Sequence, residues 1–328
     1  MNKQRVMSGM RPTGSIHLGN YFGALENWVK LQGEYDCFYS IVDWHALTTA
    51  YEDTSNIKEN IFEIAVDWLS AGLDPDKSTI YIQSSIKEIA ELHLILSMIV
   101  PLSWLERCPT YKDQLNQLKD KHIATYGFLG YPCLQAADIL ICDAQWVPVG
   151  EDQLPHLELS REIARRFNYL YGEVFIEPQP KLNEVKVLPG LDGRKMSKSY
   201  KNTITLSDSP EDIKNKVKIM VTDPARVHKT DPGHPSVCSV YAFHRVFSGG
   251  AIDEIKDQCT KGAIGCVQCK KMLANSMINY LEPMYTKRKE IEQRPSYVRE
   301  ILNEGKKKAT KVAQQTMAKV REAIKIDI

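Results

Sequence analysis

The sequence has no long hydrophobic run. Its most apolar stretch, AELHLILSMIVPLSW, is interrupted by His93, Ser97 and Pro101, so it does not supply the about 20 apolar residues a membrane-crossing helix needs. The first residues, MNKQRVMSGMRPTG, start basic but carry no apolar core of the secretory type. A cytoplasmic protein without a membrane partner is therefore expected. Net charge is almost absent too, with 42 Lys and Arg against 41 Asp and Glu, or +1. That excludes a uniformly basic nucleic-acid coat; any such partner must be met by a local patch. Neither GxGxxG nor GxxxxGK[ST] occurs, and there is no internal repeat or low-complexity segment. Dinucleotide sites and P-loops of the usual kind are thus excluded. In a reducing compartment the eight cysteines are not read as four disulfides.

What is present is ordinary globular material: 43% apolar and 25% charged residues over a length that suits two domains. RVMSGM (5–10), CFYSIVD (37–43), STIYIQ (78–83) and WVPVG (146–150) read as strands. Between them YFGALENWVKLQ (21–32) and NIKENIFEIAVDWLSAGL (56–73) repeat apolar residues at helical spacing. Strands alternating with helices predict an α/β domain with a parallel sheet covered on both faces. After residue 200 the pattern becomes helical, opening on Ser209 as N-cap with Pro210 in the first turn. The expected boundary lies near 205, with a mostly helical domain over 206–328.

Three stretches carry chemistry. RPTGSIHLGNYFGAL (11–25) is a Gly-containing turn that opens a helix, where unpaired N–H groups suit a phosphate. A plain βα turn capped by His17 is the alternative. GRKMSKSY (193–200) places Lys195 and Lys198 around small hydroxyl residues. Two mobile ammonium groups can follow charge building on a leaving pyrophosphate; a solvated basic loop is the bland reading. In YPCLQAAD (131–138), Tyr131, Gln135 and Asp138 fall on one helical face. A buried carboxylate there would accept from a ring N–H or O–H and be stranded by a ring that has neither. Four further thiols, Cys238, Cys259, Cys266 and Cys269, fall within 32 residues, with six residues and then two between the last three. Core packing, a four-thiolate zinc site and an iron–sulfur site are each compatible with that spacing. The other four, Cys37, Cys108, Cys133 and Cys142, lie singly in apolar surroundings and read as core. Between residues 301 and 328, seven basic residues face three acids, a local net of 7 − 3 = +4.

HLGN and KMSKS resemble the two signatures of the class I aminoacyl-tRNA synthetases. SGMRPTGSIHLGNYFGAL, YPCLQAADIL, VPVGEDQLPHLELSREIARRFN and DPARV are most similar to the bacterial tryptophanyl family, from about residue 5 to the C-terminus. The resemblance implies a Rossmann-like catalytic domain over 1–205 and a helical domain over 206–328 that binds the tRNA anticodon, in a homodimer. It implies ATP, L-tryptophan and tRNA(Trp) as partners: tryptophan is activated to its adenylate with release of pyrophosphate, then passed to the tRNA. Tyrosyl enzymes use a similar Tyr/Gln/Asp helix and are the alternative. Carried over by position, Arg11, Pro12, Thr13, Gly19 and Asn20 would touch ATP, with Gly150, Glu151 and Asp152, then Leu188, and the loop Lys195, Met196, Ser197, Lys198 and Ser199. Lys195, Lys198, His17 and Asn20 would act in catalysis, and Tyr131, Gln135, Asp138 and Gln153 would hold tryptophan. Mg²⁺ would ride on the phosphates. Arg11 stands where many bacterial relatives carry glutamine. A subset of that family ends in the same cysteine spacing, which implies a [4Fe–4S] cluster on Cys238, Cys259, Cys266 and Cys269, with structural Zn²⁺ as the rival.

Overall fold

A computed structural model describes residues 3–108, 111–112, 122–182 and 188–326, except the side chain of Asp152. The chain forms two compact units, each interrupted in sequence: Met1–Gly14 with Asn27–Asn183 and Arg294–Ile328, and Ser15–Glu26 with Glu184–Gln293.

The first unit is built on a five-stranded sheet of order β3-β2-β1-β4-β5, parallel throughout: β1 Arg5–Met10, β2 Asp36–Ile41, β3 Ser78–Ile82, β4 Trp146–Val149 and β5 Gln179–Leu182. Four of these were expected. The fifth, QPKL, escapes a reading by hydrophobic pattern because it is short, largely polar and contains Pro180, which suits only a sheet edge. Five of the six residues of β2 are buried, as a strand covered on both faces requires. The core joins Met7, Phe38 and Tyr81 of the sheet to Leu92, Leu96, Ala137, Leu140 and Phe167 of the surrounding helices. Ala309, Ala313, Met317 and Val320 of the long C-terminal helix Pro295–Ala323 belong to the same core.

That last contact moves the division of the chain away from a single cut near 205. The C-terminal helix lies against β3 within the sheet unit. Gly305 is the point of approach, because a Cβ there would sit 1.8 Å from the Ile80 carbonyl oxygen. Arg321 pairs with Glu91 of the helix Lys87–Ser97, its Nε donating at 2.8 Å. The apolar stripe of this helix was legible in the sequence; the surface it covers was not.

The second unit is mostly helical. Pro210–Ile219 opens as expected, with Ser209 and Asp212 forming a reciprocal capping box. Ser239–Phe247, Ile252–Thr260 and Cys266–Glu292 follow. Their core includes Phe243, Leu273 and Met277. Phe22 joins an aromatic cluster with Phe247 at 5.6 Å and Tyr280 at 6.0 Å between ring centroids. The stretch expected to be helical over 21–32 is so from Leu18 to Leu31, with a π turn over Tyr21–Leu25. Among the described residues no helix is long and apolar enough to cross a membrane.

Candidate active site

In the sheet unit, chain direction fixes where a ligand can enter. From β1 the order runs outward to β2 and β3, then returns to β4 and β5. Such a reversal opens a crevice at the carboxyl ends of the two strands that flank it. Arg11, Pro12 and Thr13 follow β1, and Gly150, Glu151 and Gln153 follow β4. Gly150 is extended, and Glu151–Gln153 form a short 3-10 turn running into the helix Leu154–Tyr171. The positive end of that helix therefore faces the same edge. Glu151 is exposed and Gln153 half-buried, while the Asp152 side chain lies outside the described residues. Arg11 makes a long contact, Nη1 donating to Thr49 Oγ1 at 3.5 Å.

The helix Tyr131–Ile141 leaves Tyr131 and Gln135 half-buried and takes Asp138 almost wholly out of water. Asp138 is compensated by residues the sequence reading missed. Gln83 Nε2 donates to it at 2.8 Å, and His45 Nε2 lies 2.9 Å from its Oδ2. Burial holds His93 below its usual value against the pull of Asp138. The His45 ring also meets Tyr131 edge-on at 6.5 Å between centroids, linking the two expected pocket residues. Tyr131 OH lies 3.5 Å from His156 Nε2, and Cys108 Sγ lies 3.9 Å from the same imidazole. Burial works to raise the Cys108 thiol, but His156 and Tyr131 bring it below its ordinary value. No sequence signal marked Gln83, His45 or His156: a glutamine closing a strand and single histidines on helices are common core features.

The second unit holds the lysine loop and, from Ser15 onward, the first phosphate-type stretch. His17 caps the short helix that begins at Leu18; its Nδ1 accepts from the Asn20 N–H at 3.2 Å. An accepting Nδ1 puts the proton of the neutral ring on Nε2, which is left as a donor. Burial first, then the Lys198 ammonium, with Lys195 adding, push the imidazole down to about 4. His17 is therefore neutral at ordinary pH. Backbone bonds tie it to the segment after the lysine loop, Leu18 N–H donating to Ile204 O at 2.8 Å and Leu206 N–H to Ile16 O at 2.9 Å. Within the loop Lys195 is exposed and Lys198 half-buried, while Leu188 and Met196 are buried anchors. Asn202, also missed by the sequence reading, staples the loop. Its Oδ1 accepts from the Ser197 N–H at 2.8 Å, and its Nδ2 donates to Asp192 at 2.7 Å and to Lys195 O at 3.2 Å. Ser199 is exposed at the tip.

Cys37, Cys108, Cys133 and Cys142 are buried, whereas Cys238, Cys259, Cys266 and Cys269 are half-exposed. The last four sit at the start of Ser239–Phe247, near the end of Ile252–Thr260, and in the first turn of Cys266–Glu292. Burial pushes the Cys269 thiol up to about 12, with Cys238, Cys259 and Cys266 adding to it. The four are thus within electrostatic reach of one another. Even so, among the described residues no group of three or more His, Cys, Asp or Glu side chains stands in metal-binding geometry.

The profile of the tRNA synthetases class I (W and Y) matches residues 1–282. A tryptophan–tRNA ligase of Thermotoga maritima is 52% identical over 325 residues, 98% of this chain and 99% of the relative. Another, from Aquifex aeolicus, is 44% identical over 393 residues, covering 98% of this chain and all of the relative. The fold matches a crystal structure of tryptophanyl-tRNA synthetase from Campylobacter jejuni complexed with ADP and tryptophan, with TM-score 0.89 and 38% identity over 98% of this chain and 99% of that one. The chain belongs to the class I tRNA synthetases for tryptophan and tyrosine and, within them, to the tryptophan–tRNA ligase family.

Proposed function

We propose that the chain ligates tryptophan to tRNA(Trp). A carboxylate oxygen of L-tryptophan attacks the α-phosphorus of ATP, the bond to the bridging oxygen breaks, and pyrophosphate leaves with the electron pair. A hydroxyl at the tRNA 3′ end then attacks the adenylate carbonyl and AMP departs. The observation that carries this reading is the neutral His17, capping one helix turn within the field of Lys195 and Lys198. Such an imidazole would donate through Nε2 to a phosphoryl oxygen, while the two ammonium groups, together with Mg²⁺ carried by ATP, would offset negative charge on the departing pyrophosphate. Gly19 and Asn20 would lie along the nucleotide with Pro12 and Thr13, Gly150 to Asp152 would hold it at the sheet edge, and Arg11 would grip a phosphate or carboxylate. Leu188 and Met196 to Ser199 shape the loop. Asp138 would accept the indole N–H, with Tyr131, Gln135 and Gln153 around the ring. ATP–pyrophosphate exchange is expected with tryptophan and not with tyrosine; exchange with tyrosine alone, or with neither, overturns the reading.

We also propose that Cys238, Cys259, Cys266 and Cys269 hold a [4Fe–4S] cluster, with zinc as the rival occupant. Three features of this chain fit such a group. The donors are four thiols, and burial, with the neighbouring thiols adding to it, raises those of Cys259 and Cys269. Gly233 lets the backbone close on Cys259, since a Cβ there would sit 2.5 Å from its Sγ. Arg226 brings a cation to the same sulfur, Nη1 donating at 3.8 Å, and its Nε is buried without a partner among the described residues. When bound, the cluster would cross-link three segments of the helical unit, which is the unit proposed to meet the anticodon. Protein purified without oxygen should be brown with about four irons per chain. Colourless protein with one zinc per chain rules the cluster out.

A homodimer is proposed as well. Leu94, Met98 and Leu102 are 57%, 74% and 62% exposed within nine residues of sequence, an apolar patch that a second copy would cover.

A further inference from the structure

Gln83 closes β3, is completely buried, and its amide can point only one way. Oε1 accepts from the backbone N–H of Trp44 at 3.0 Å and from that of His45 at 3.4 Å. A backbone N–H can only donate, so the carbonyl side of the amide must face it. Nε2 is then turned to Asp138, 2.8 Å from each carboxylate oxygen. His45 Nε2 adds a contact of 2.9 Å to Oδ2. Each carboxylate oxygen can accept about two hydrogen bonds. Among the described residues, Oδ2 is thus engaged by Gln83 and His45 and Oδ1 by Gln83, which leaves Oδ1 capacity for one more donor.

We infer that Gln83 is the positioning residue for amino-acid selection: anchored by the backbone of the helix Asp43–Ala50, it holds Asp138 as a fixed acceptor that rewards one ring donor and rejects a ring without one. This rests on the proposed contact between Asp138 and the indole N–H. Without the Gln83 donor a buried carboxylate would be left underpaired and free to turn toward His45, and the preference for a substrate N–H would fall. The chemistry selected is an aromatic amino acid with a single donor at the far edge of its ring.

The test uses the full chain in ATP–pyrophosphate exchange with L-tryptophan and with its isostere carrying sulfur in place of the ring N–H. The ratio of kcat/KM for the two substrates is the readout. Gln83→Met is expected to lower that ratio by on the order of 10-fold, through KM for tryptophan more than through kcat. Gln83→Glu keeps the shape and separates positioning from packing. Protonated, residue 83 still donates to Asp138; ionised, it repels it. Selectivity in this variant should therefore fall as pH rises, relative to the parent at each pH. The comparison with the parent is needed because Asp43, His45, Tyr81, His93 and Cys142 also surround this pair. Asp138→Asn serves as the reference. If it lowers the ratio while both Gln83 variants, folded by thermal melt, keep the parental ratio at all pH values, Gln83 has no positioning role. If Asp138→Asn itself leaves the ratio unchanged, the indole contact is wrong and the role of Gln83 falls with it. Failure of both Gln83 variants to fold would mark a purely structural residue and equally overturn the inference.

Discussion

Lys195 and Lys198 differ in setting although the sequence presents them as a pair. Lys195 is exposed, Lys198 is half-buried, and Lys198 has the stronger effect on His17. An exposed, mobile ammonium suits a charge that exists only as pyrophosphate leaves. Lys195→Ala is therefore expected to lower kcat for adenylate formation by on the order of 10²-fold with a smaller change in ATP affinity. Pre-steady-state adenylate formation measures this, and a variant that loses only affinity speaks against the role. His17 supplies an independent check. Its value of about 4 against a usual 6.5 comes mainly from burial, so the ring stays neutral across ordinary pH and exchange should show no His17 titration there. Lys198→Ala should raise the His17 value more than Lys195→Ala does, yet leave it below 6.5, as read by NMR titration. The stability effect has a definite sign. Below 6.5 the unfolded chain takes up a proton that folded His17 refuses until about 4, so its contribution is present above 6.5 and lost as pH falls through that window.

The C-terminal helix Pro295–Ala323 shows how two principles compete at one position. Replacing a helical glycine by alanine ordinarily favours the helix by about 1 kcal/mol. At Gly305 the added Cβ would lie 1.8 Å from the Ile80 carbonyl oxygen, and overpacking of that kind costs about 1–3 kcal/mol. The steric effect wins because both partners are backbone and neither can turn aside. Gly305→Ala should lower the urea midpoint; an unchanged or raised midpoint would show that the helix can lift from β3. At the helix Pro210–Ile219, Ser209→Ala removes half of an exposed capping box and should cost about 1 kcal/mol.

At the scale of the molecule, the proposed tRNA contact rests on a basic run and the proposed dimer contact on an apolar patch. Lys306, Lys307 and Lys308 are exposed on the helix that packs on the sheet, and Lys307 already bonds Glu304 at 2.6 Å. Arg321, part of the same basic excess, pairs with Glu91. Neutralising Lys306 to Lys308 should raise KM for tRNA and flatten its salt dependence while sparing amino-acid activation; unaltered charging would mark the three as solubilising only. Met98→Glu should shift the mass measured by light scattering from dimer toward monomer, because it puts a charge into the exposed apolar patch. A dimer of unchanged stability would place the contact elsewhere.

Local chemistry is where the sequence sufficed. Four strands, the Ser209 cap, the turn before Leu18 and the lysine loop each depend on neighbours within a few residues, so their residues announce them. Full-length similarity then places the chain in one family. What distance decides stayed hidden. The destination of the C-terminal stripe on β3, the strand QPKL at the sheet edge, and the compensation of Asp138 by Gln83 and His45 all join residues far apart in the chain. A hydrophobic stripe says that a face will be buried and not against what, and a buried carboxylate needs donors without naming them. Those partners are chosen when the sheet closes and brings 45, 83 and 138 to one place.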